Sequence, residues 1–223
     1  MARYPDVFFG TNLMTFEEAR RLCQYSYSSL EPGQTVEGEG VQWTVVAKHT
    51  VGGFAAYVID KPDGFRAIVY RGTVDWRGWV LNNIPNMFGM LRPPQYDTGV
   101  AIASQYNQWN TMLVGHSLGG GIATYASAHL GLPAVTIFPA PVIPSSLPDR
   151  GGRAKVYNYV CHGEALTELT AGGRRDSQWN NNLQDGTDLV FSRQRHRRLG
   201  VDNWVQSIAG NAIAMHGLDS IAA

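Results

Sequence analysis

Five residues constrain this chain more than any others: Gly115-His116-Ser117-Leu118-Gly119. The apolar run from Thr111 to Val114 leads into them, and the small residues Gly120, Gly121, Ala123, Ala126 and Ala128 follow. The pattern reads as strand, very tight turn, helix, with one serine at the apex. Such a turn is so cramped that only a very small residue fits two positions to either side of the serine, and it lifts the hydroxyl clear of the sheet. A plainer reading exists, in which Ser117 only caps the helix that follows. The flanking strand and helix are the context the five-residue pattern requires, and they favour Ser117 as a nucleophile at a sharp turn after a central strand.

The rest of the chain supplies a sheet for that turn. Thr15 and Glu18 have capping-box spacing, and Phe16, Ala19, Leu22 and Cys23 form an apolar stripe, so residues 15–26 read as a helix. Val41, Trp43 and Val45 alternate with polar residues as in a strand, and Phe54 to Ile59 gives a second. Asp60-Lys61-Pro62-Asp63-Gly64 carries turn chemistry, and Ala67 to Tyr70 forms a third strand. Beyond it, strand 111–114, helix 119–130, strand 134–138 and strand 155–160 alternate as in βαβ units, with Gly131 placed to end the helix. The tail from Val201 to Ile221 reads as helical. The expectation is one α/β domain over residues 1–223, with a mixed, mostly parallel sheet flanked by helices and its antiparallel strands first.

A serine hydroxyl is a poor nucleophile at neutral pH. It needs an imidazole to take its proton and a carboxylate to orient that imidazole. In folds with this serine turn the chain order is serine, acid, histidine. His49 comes too early, His116 flanks the serine and points off the turn, and His129 lies inside the next helix. His162, His196 and His216 follow. The acid belongs just beyond a late parallel strand, where Cys161-His162-Gly163-Glu164 stands. Glu164 is therefore the expected acid, with Asp176 the alternative; its plainer role is to cap a helix starting near Ala165. His162 is too close to the same strand end to partner Glu164 easily. His216 is the expected base, and its plainer role is a helix-end histidine. His196, set in the run Arg193-Gln194-Arg195-His196-Arg197-Arg198, is the alternative base, disfavoured because neighbouring cations depress an imidazole's pKa. An oxyanion needs two donors: the backbone N–H of Leu118 and a group from the strand-ending loop Tyr70-Arg71-Gly72-Thr73, where Thr73 offers an N–H and a hydroxyl.

Taken together, Tyr70-Arg71-Gly72-Thr73 with Trp76 and Trp79, Gly115-His116-Ser117-Leu118-Gly119-Gly120, and Phe138-Pro139-Ala140-Pro141 resemble the class 3 lipase family, in order and over nearly the whole chain. The resemblance implies an α/β-hydrolase fold with a nucleophile elbow, and a serine carboxylic-ester hydrolase (lipase or phospholipase) acting on lipid acyl esters through an acyl-enzyme on Ser117. It carries over Ser117 as nucleophile, Thr73 and Leu118 as oxyanion donors, and His216 as base. Two positions depart from the family pattern. Gly163-Glu164-Ala165-Leu166 has glutamate where aspartate is usual, and Pro139 replaces a glycine in the loop that walls one pocket. The Gly-Glu-x-Leu-Thr stretch and the compact size also resemble lipase-like bacterial secretion-system effectors.

The segment 83–98 reads as a lid-like insertion, where Met87, Phe88, Met90 and Leu91, with Pro139, would offer soft apolar cover to an acyl chain. The plainer reading is a packed loop. Lys+Arg and Asp+Glu number 18 each, so no global charge points to nucleic acid. The arginine run lacks interleaved stacking aromatics and suits a solvated face or phospholipid headgroups. No cluster has metal-ligand spacing, and no cofactor is expected. Cys23 and Cys161 read as buried small apolar groups rather than a disulfide. The N-terminus lacks the apolar stretch of a cleaved signal peptide, so the expectation is a chain cytoplasmic as synthesised, with export by a signal-independent route left open. The expected partner is a lipid ester at a membrane or lipid surface, with an immunity protein covering the mouth if the chain is an effector. Two rivals stand beside ester hydrolysis: acyl transfer by the same groups, and a non-catalytic lipid- or partner-binding module.

Overall fold

The structure, a computed structural model, describes residues 7–9, 12–74, 94–108, 110–142, 147–148, 155–161, 163–164, 166–167, 201–204 and 216–220. A short antiparallel pair, β1 (Val7–Phe9) and β2 (Asn12–Met14), precedes helix α1 (Phe16–Ser26). The strands β3 (Thr35–Gly38), β4 (Val41–Val51), β5 (Phe54–Asp60) and β6 (Arg66–Tyr70) then run as an antiparallel meander. Helix α2 (Pro94–Gln105), β7 (Thr111–His116), α3 (Leu118–Leu130), β8 (Ala134–Ile137), β9 (Val156–Val160) and β10 (Val201–Trp204) follow. From β6 onward every pairing is parallel. All eight strands β3 to β10 form one mixed sheet in which spatial order reverses chain order, from β10 at one edge to β3 at the other.

Why the sheet is covered on both faces can be read strand by strand. β5 and β7 are buried along almost their full length, which a half-solvated strand would not be. Successive side chains divide between two cores. Tyr57, Ile59, Val69, Val114 and Ile137 pack with Phe16, Ala19, Leu22 and Cys23 of α1. Ala56, Val58, Ile68, Tyr70 and Leu113 pack on the other face with Ile102 and Ala103 of α2 and Ile122, Tyr125 and Ala126 of α3. The architecture is therefore α/β, a mixed sheet flanked by helices on both faces.

Local chemistry sets the ends. Thr15 caps α1: its hydroxyl accepts from the Glu18 N–H at 3.0 Å, and its own N–H donates to the Glu18 carboxylate at 2.9 Å. Gly131 closes α3 at φ 72°, a left-handed conformation that costs glycine little.

Three expectations change. The tail was expected to be helical from Val201, but Val201–Trp204 is the edge strand β10, parallel to β9. Its alternation of Val201 and Asn203 with Asp202 and Trp204 is too short to separate the two periods. The lid-like segment was drawn over 83–98, yet residues 94–98 open helix α2, with Pro94 at the first position that a helix tolerates. Residues 83–93, with Met87, Phe88, Met90 and Leu91, lie outside the described residues. Strand β3 and the pair β1–β2 were not anticipated. Cys23 and Cys161 are both buried free thiols. Among the described residues no helix is long and apolar enough to cross a membrane, and no group of His, Cys, Asp and Glu could hold a metal ion.

Candidate active site

Ser117 sits between the end of β7 and the start of α3 with φ 58° and ψ −127°. An L-residue reaches that region only under constraint, at a cost of about 1–3 kcal/mol. The constraint is visible in the hydrogen bonds around it. The Ser117 N–H donates to the Ile137 carbonyl at 3.1 Å, and its carbonyl accepts from Gly121 at 3.1 Å and Ala140 at 2.9 Å. Gly115 and Gly119 permit the bend: a Cβ on Gly115 would overlap the Gly119 carbonyl, and one on Gly119 would overlap the Tyr70 carbonyl. The Ser117 hydroxyl is buried and makes no hydrogen bond among the described residues. Leu118 begins α3 at the N-terminal, electropositive end of the helix.

The oxyanion candidate Thr73 follows β6, which pairs parallel with β7 so that Tyr70 lies opposite Gly115. The next turn of that loop brings Gly72 against the serine. A Cβ there would meet the Tyr27 hydroxyl, the His116 carbonyl at 2.7 Å and the Ser117 Cβ at 3.2 Å. Thr73 is half-buried and adjoins this contact in the chain. Pro139, expected to wall a pocket, is buried, and its Cα lies 3.0 Å from where a Cβ on Gly120 would stand.

Glu164 and His216, 52 residues apart in sequence, meet in the interior. The His216 Nδ1–H donates to Glu164 Oε1 at 2.6 Å, and both side chains are fully buried. The same carboxylate accepts three further bonds, from the Leu166 N–H at 2.8 Å, the Thr167 N–H at 2.7 Å and the Thr167 hydroxyl at 2.6 Å. Its helix-capping role and its contact with His216 therefore coexist. The extra methylene of glutamate lets one group turn back to residues 166 and 167 while reaching the tail. Burial alone would raise the Glu164 pKa; His216 and the donors from Thr167 and Leu166 outweigh it and hold the carboxyl below its ordinary value.

The His216 ring lies 4.8 Å, centroid to centroid, from that of His116, the residue before the serine, and 5.9 Å from Phe138. Phe138 is fully buried with φ 45°, so the loop after β8 is strained beside the same imidazoles. His116, read from sequence as pointing off the turn, is not idle. Its Nε2 bonds to the His216 carbonyl at 2.9 Å and its Nδ1 to the Tyr27 hydroxyl at 2.7 Å. Burial first, and the neighbouring His216 second, push its pKa well below the usual imidazole value. Neutral His116 must then donate from Nε2, since a carbonyl only accepts, and Tyr27 donates to Nδ1.

The structure thus gathers Ser117, Leu118, Gly72, Glu164, His216 and His116 around one end of β7. The alternative acid Asp176 and alternative base His196 lie outside the described residues, as do His162 and the arginine run. His49 bonds to Tyr106 at 2.9 Å, far along the meander, and His129 is exposed against Tyr125. Sequence reasoning missed Tyr27, Phe138 and the role of His116. The only signal for Tyr27 was a polar-capable residue continuing the stripe of α1 that starts at Arg20 and Gln24.

Two comparisons bear on what such a site does. Residues 29–188 match the family described as phospholipase-like, the Tle-like phospholipase domain. An extracellular phospholipase A1 of Serratia liquefaciens is 31% identical over 188 residues, an alignment covering 73% of this chain and 56% of that protein. The chain therefore spans little more than half the length of that relative, and the family match ends before His216.

Proposed function

Because this chain belongs to the Tle-like phospholipase family, we propose that it is a serine carboxylic-ester hydrolase of α/β-hydrolase fold that cleaves an acyl ester of a phospholipid through an acyl-enzyme on Ser117. One observation carries the reading beyond the family: a fully buried Glu164–His216 pair whose imidazole packs beside the residue preceding a strained, buried serine. Donation from Nδ1 to Glu164 places the lone pair of neutral His216 on Nε2.

In this mechanism His216 Nε2 takes the proton of Ser117 as Oγ attacks the ester carbonyl. The backbone N–H groups of Leu118 and Thr73 hold the oxyanion, aided by the N-terminus of α3. Collapse breaks the ester C–O bond, and the imidazolium returns its proton to the departing alcohol, a lysophospholipid. Water then attacks the acyl-enzyme with His216 as base and releases the fatty acid. Glu164 fixes the ring and stabilises the imidazolium. The motifs resembling class 3 lipases assign the same roles to Ser117, Leu118, Thr73 and His216. The relative's description as extracellular supports a substrate met at a lipid surface outside the producing cell; were the chain an effector, an immunity protein would cover its mouth.

Fluorophosphonate labelling, with mass spectrometry of the products from phospholipid vesicles, tests the proposal. The wild type labels at Ser117 and releases fatty acid and lysophospholipid. Ser117→Ala loses the label and about 10⁴- to 10⁶-fold in rate. Undiminished release by Ser117→Ala would end the reading.

A further inference from the structure

The helix packed on the far side of the sheet from α3 reaches the stretch that carries His216. Arg20, Gln24 and Tyr27 stand at i, i+4 and i+7 along one stripe of α1 and its C-cap. Gln24 Nε2 donates to the Asp219 carboxylate at 2.5 Å, and Arg20 Nη1 reaches the Leu218 carbonyl at 3.5 Å. Tyr27 takes the third place through an intermediary. Its hydroxyl lies against Gly72 and donates to His116 Nδ1, while His116 Nε2–H donates to the backbone carbonyl of His216 itself. His216 passes the connection on to Glu164.

We infer that Tyr27 and His116 are positioning residues for the base, a two-member bridge through which α1 fixes the backbone of His216 against the serine turn and the end of β6. This rests on the function proposed above and extends it to two residues that touch no substrate.

The chemistry favours positioning over incidental packing. Residues 27, 72, 116, 164 and 216 come from five separate segments, and each bond in the series has a determined direction. The His216 carbonyl can only accept, which fixes the tautomer of His116, and that tautomer in turn fixes Tyr27 as donor. His116 is buried and Tyr27 half-buried, so water does not cheaply replace a partner lost at His116. The register of the His216 backbone sets where its ring stands, and a displacement of about 1 Å in a reacting group can cost on the order of 100-fold in rate.

The test compares Tyr27→Phe, His116→Gln and His116→Leu in the full chain, with kcat on phospholipid vesicles expressed per fluorophosphonate-labelled serine. Tyr27→Phe is expected to lower kcat about 10-fold, and His116→Leu on the order of 100-fold, both with little change in KM. His116→Gln keeps an N–H for the His216 carbonyl and regains most of the loss. Adding Tyr27→Phe to His116→Leu costs little more, because both act through one connection. A spectroscopic readout needs no catalysis: the downfield proton resonance of the His216 Nδ1–H on Glu164, sharp in the wild type, broadens in His116→Leu. Wild-type kcat per labelled serine in Tyr27→Phe and His116→Leu, with only the melting temperature lowered, would overturn the inference. An unchanged resonance would do the same. Absence of labelling in the wild type would instead count against the hydrolase reading, so the two failures are separable. Should His116→Leu not fold, Tyr27→Phe, which removes a single oxygen from the ring, and His116→Gln carry the comparison and the resonance.

Discussion

The serine turn and His216, the base proposed for it, are built by different means. Most of what shapes Ser117 is close to it in the chain: two glycines within two residues, a strand before it and a helix after it, with backbone groups of Tyr70, Ile137 and Ala140 closing around them. The geometry is enforced by backbone touching backbone, which has no alternative arrangement nearby. The base is the opposite case. His216 stands just ahead of a one-turn 3₁₀ helix, Leu218–Ser220. His116 meets its carbonyl and Glu164 its ring, while Gln24 of α1 meets the turn that follows it at Asp219, all at long range in sequence. A nucleophile can be presented by sterics alone. A proton acceptor brought from a distant part of the chain is held by separate hydrogen bonds, and each can be removed singly.

Cutting the strongest of those suspensions gives the largest expected effect. Glu164→Gln keeps the shape but removes the charge, and an amide nitrogen cannot accept from Thr167 or Leu166 as a carboxylate oxygen does. Under the proposed mechanism kcat falls on the order of 10³-fold, about 4 kcal/mol in the barrier. Stability carries a pH signature. The folded pKa of Glu164 lies below its ordinary value, so the ionised group stabilises the fold fully above the unfolded value of about 4.3. That contribution disappears as pH drops through the lower, folded pKa. Chemical melts of wild type and Glu164→Gln at stepped pH should show a constant gap at neutrality that narrows only in acid below about pH 4. A gap that stays constant into strong acid would mean the charge of Glu164 does not support the base.

Breaking the steric side should behave differently. Gly119→Ala puts a methyl group onto the Tyr70 carbonyl, which belongs to the central strand β6 and cannot rotate away. The expected loss is about 3 kcal/mol of unfolding free energy, at the upper end of overpacking. Urea melts measure it. The expected pattern is a large stability loss, set against the large activity loss and smaller stability loss of Glu164→Gln. If Gly119→Ala melted like the wild type, the serine turn would be adjustable, and the contrast between the two regions would fail.

The same contrast governs what could be read from the sequence. The serine turn was legible because its cause is contiguous: the spacing of Gly115, Ser117 and Gly119 is the steric requirement itself. The capping box at Thr15 and Glu18 and the run of buried strands were legible for the same reason. Glu164 and His216 could be nominated only from chain order and resemblance, since nothing near either residue announces the other. Tyr27 and His116 were invisible as a pair, because their bond joins a helix end to a strand end 89 residues later. Strand β10 was misread as helix because four residues of an edge strand carry too little period to compete with an apolar tail. Helix α2 was hidden by its own start, where Pro94 reads as the end of a loop rather than the first position of a helix.

The smallest expected effect separates the two roles α1 can have. Thr15→Ala removes the hydroxyl that caps the helix N-terminus, while the Thr15 N–H can still meet Glu18, which also pairs with Lys61 at 2.6 Å. A loss of about 1 kcal/mol in stability is expected. The cap lies at the opposite end of α1 from Tyr27, about 18 Å away at 1.5 Å per residue. If α1 serves the site only by being folded, kcat should slide with stability as the helix loosens. If it serves through the bond at its C-cap, Thr15→Ala should shift the urea midpoint and leave kcat per labelled serine unchanged, whereas Tyr27→Phe lowers kcat directly. The pair of variants therefore reads the helix from both ends. Equal losses of kcat from the two would show that the suspended base responds to the stability of α1 as a whole, and not to the tyrosine hydroxyl at its end.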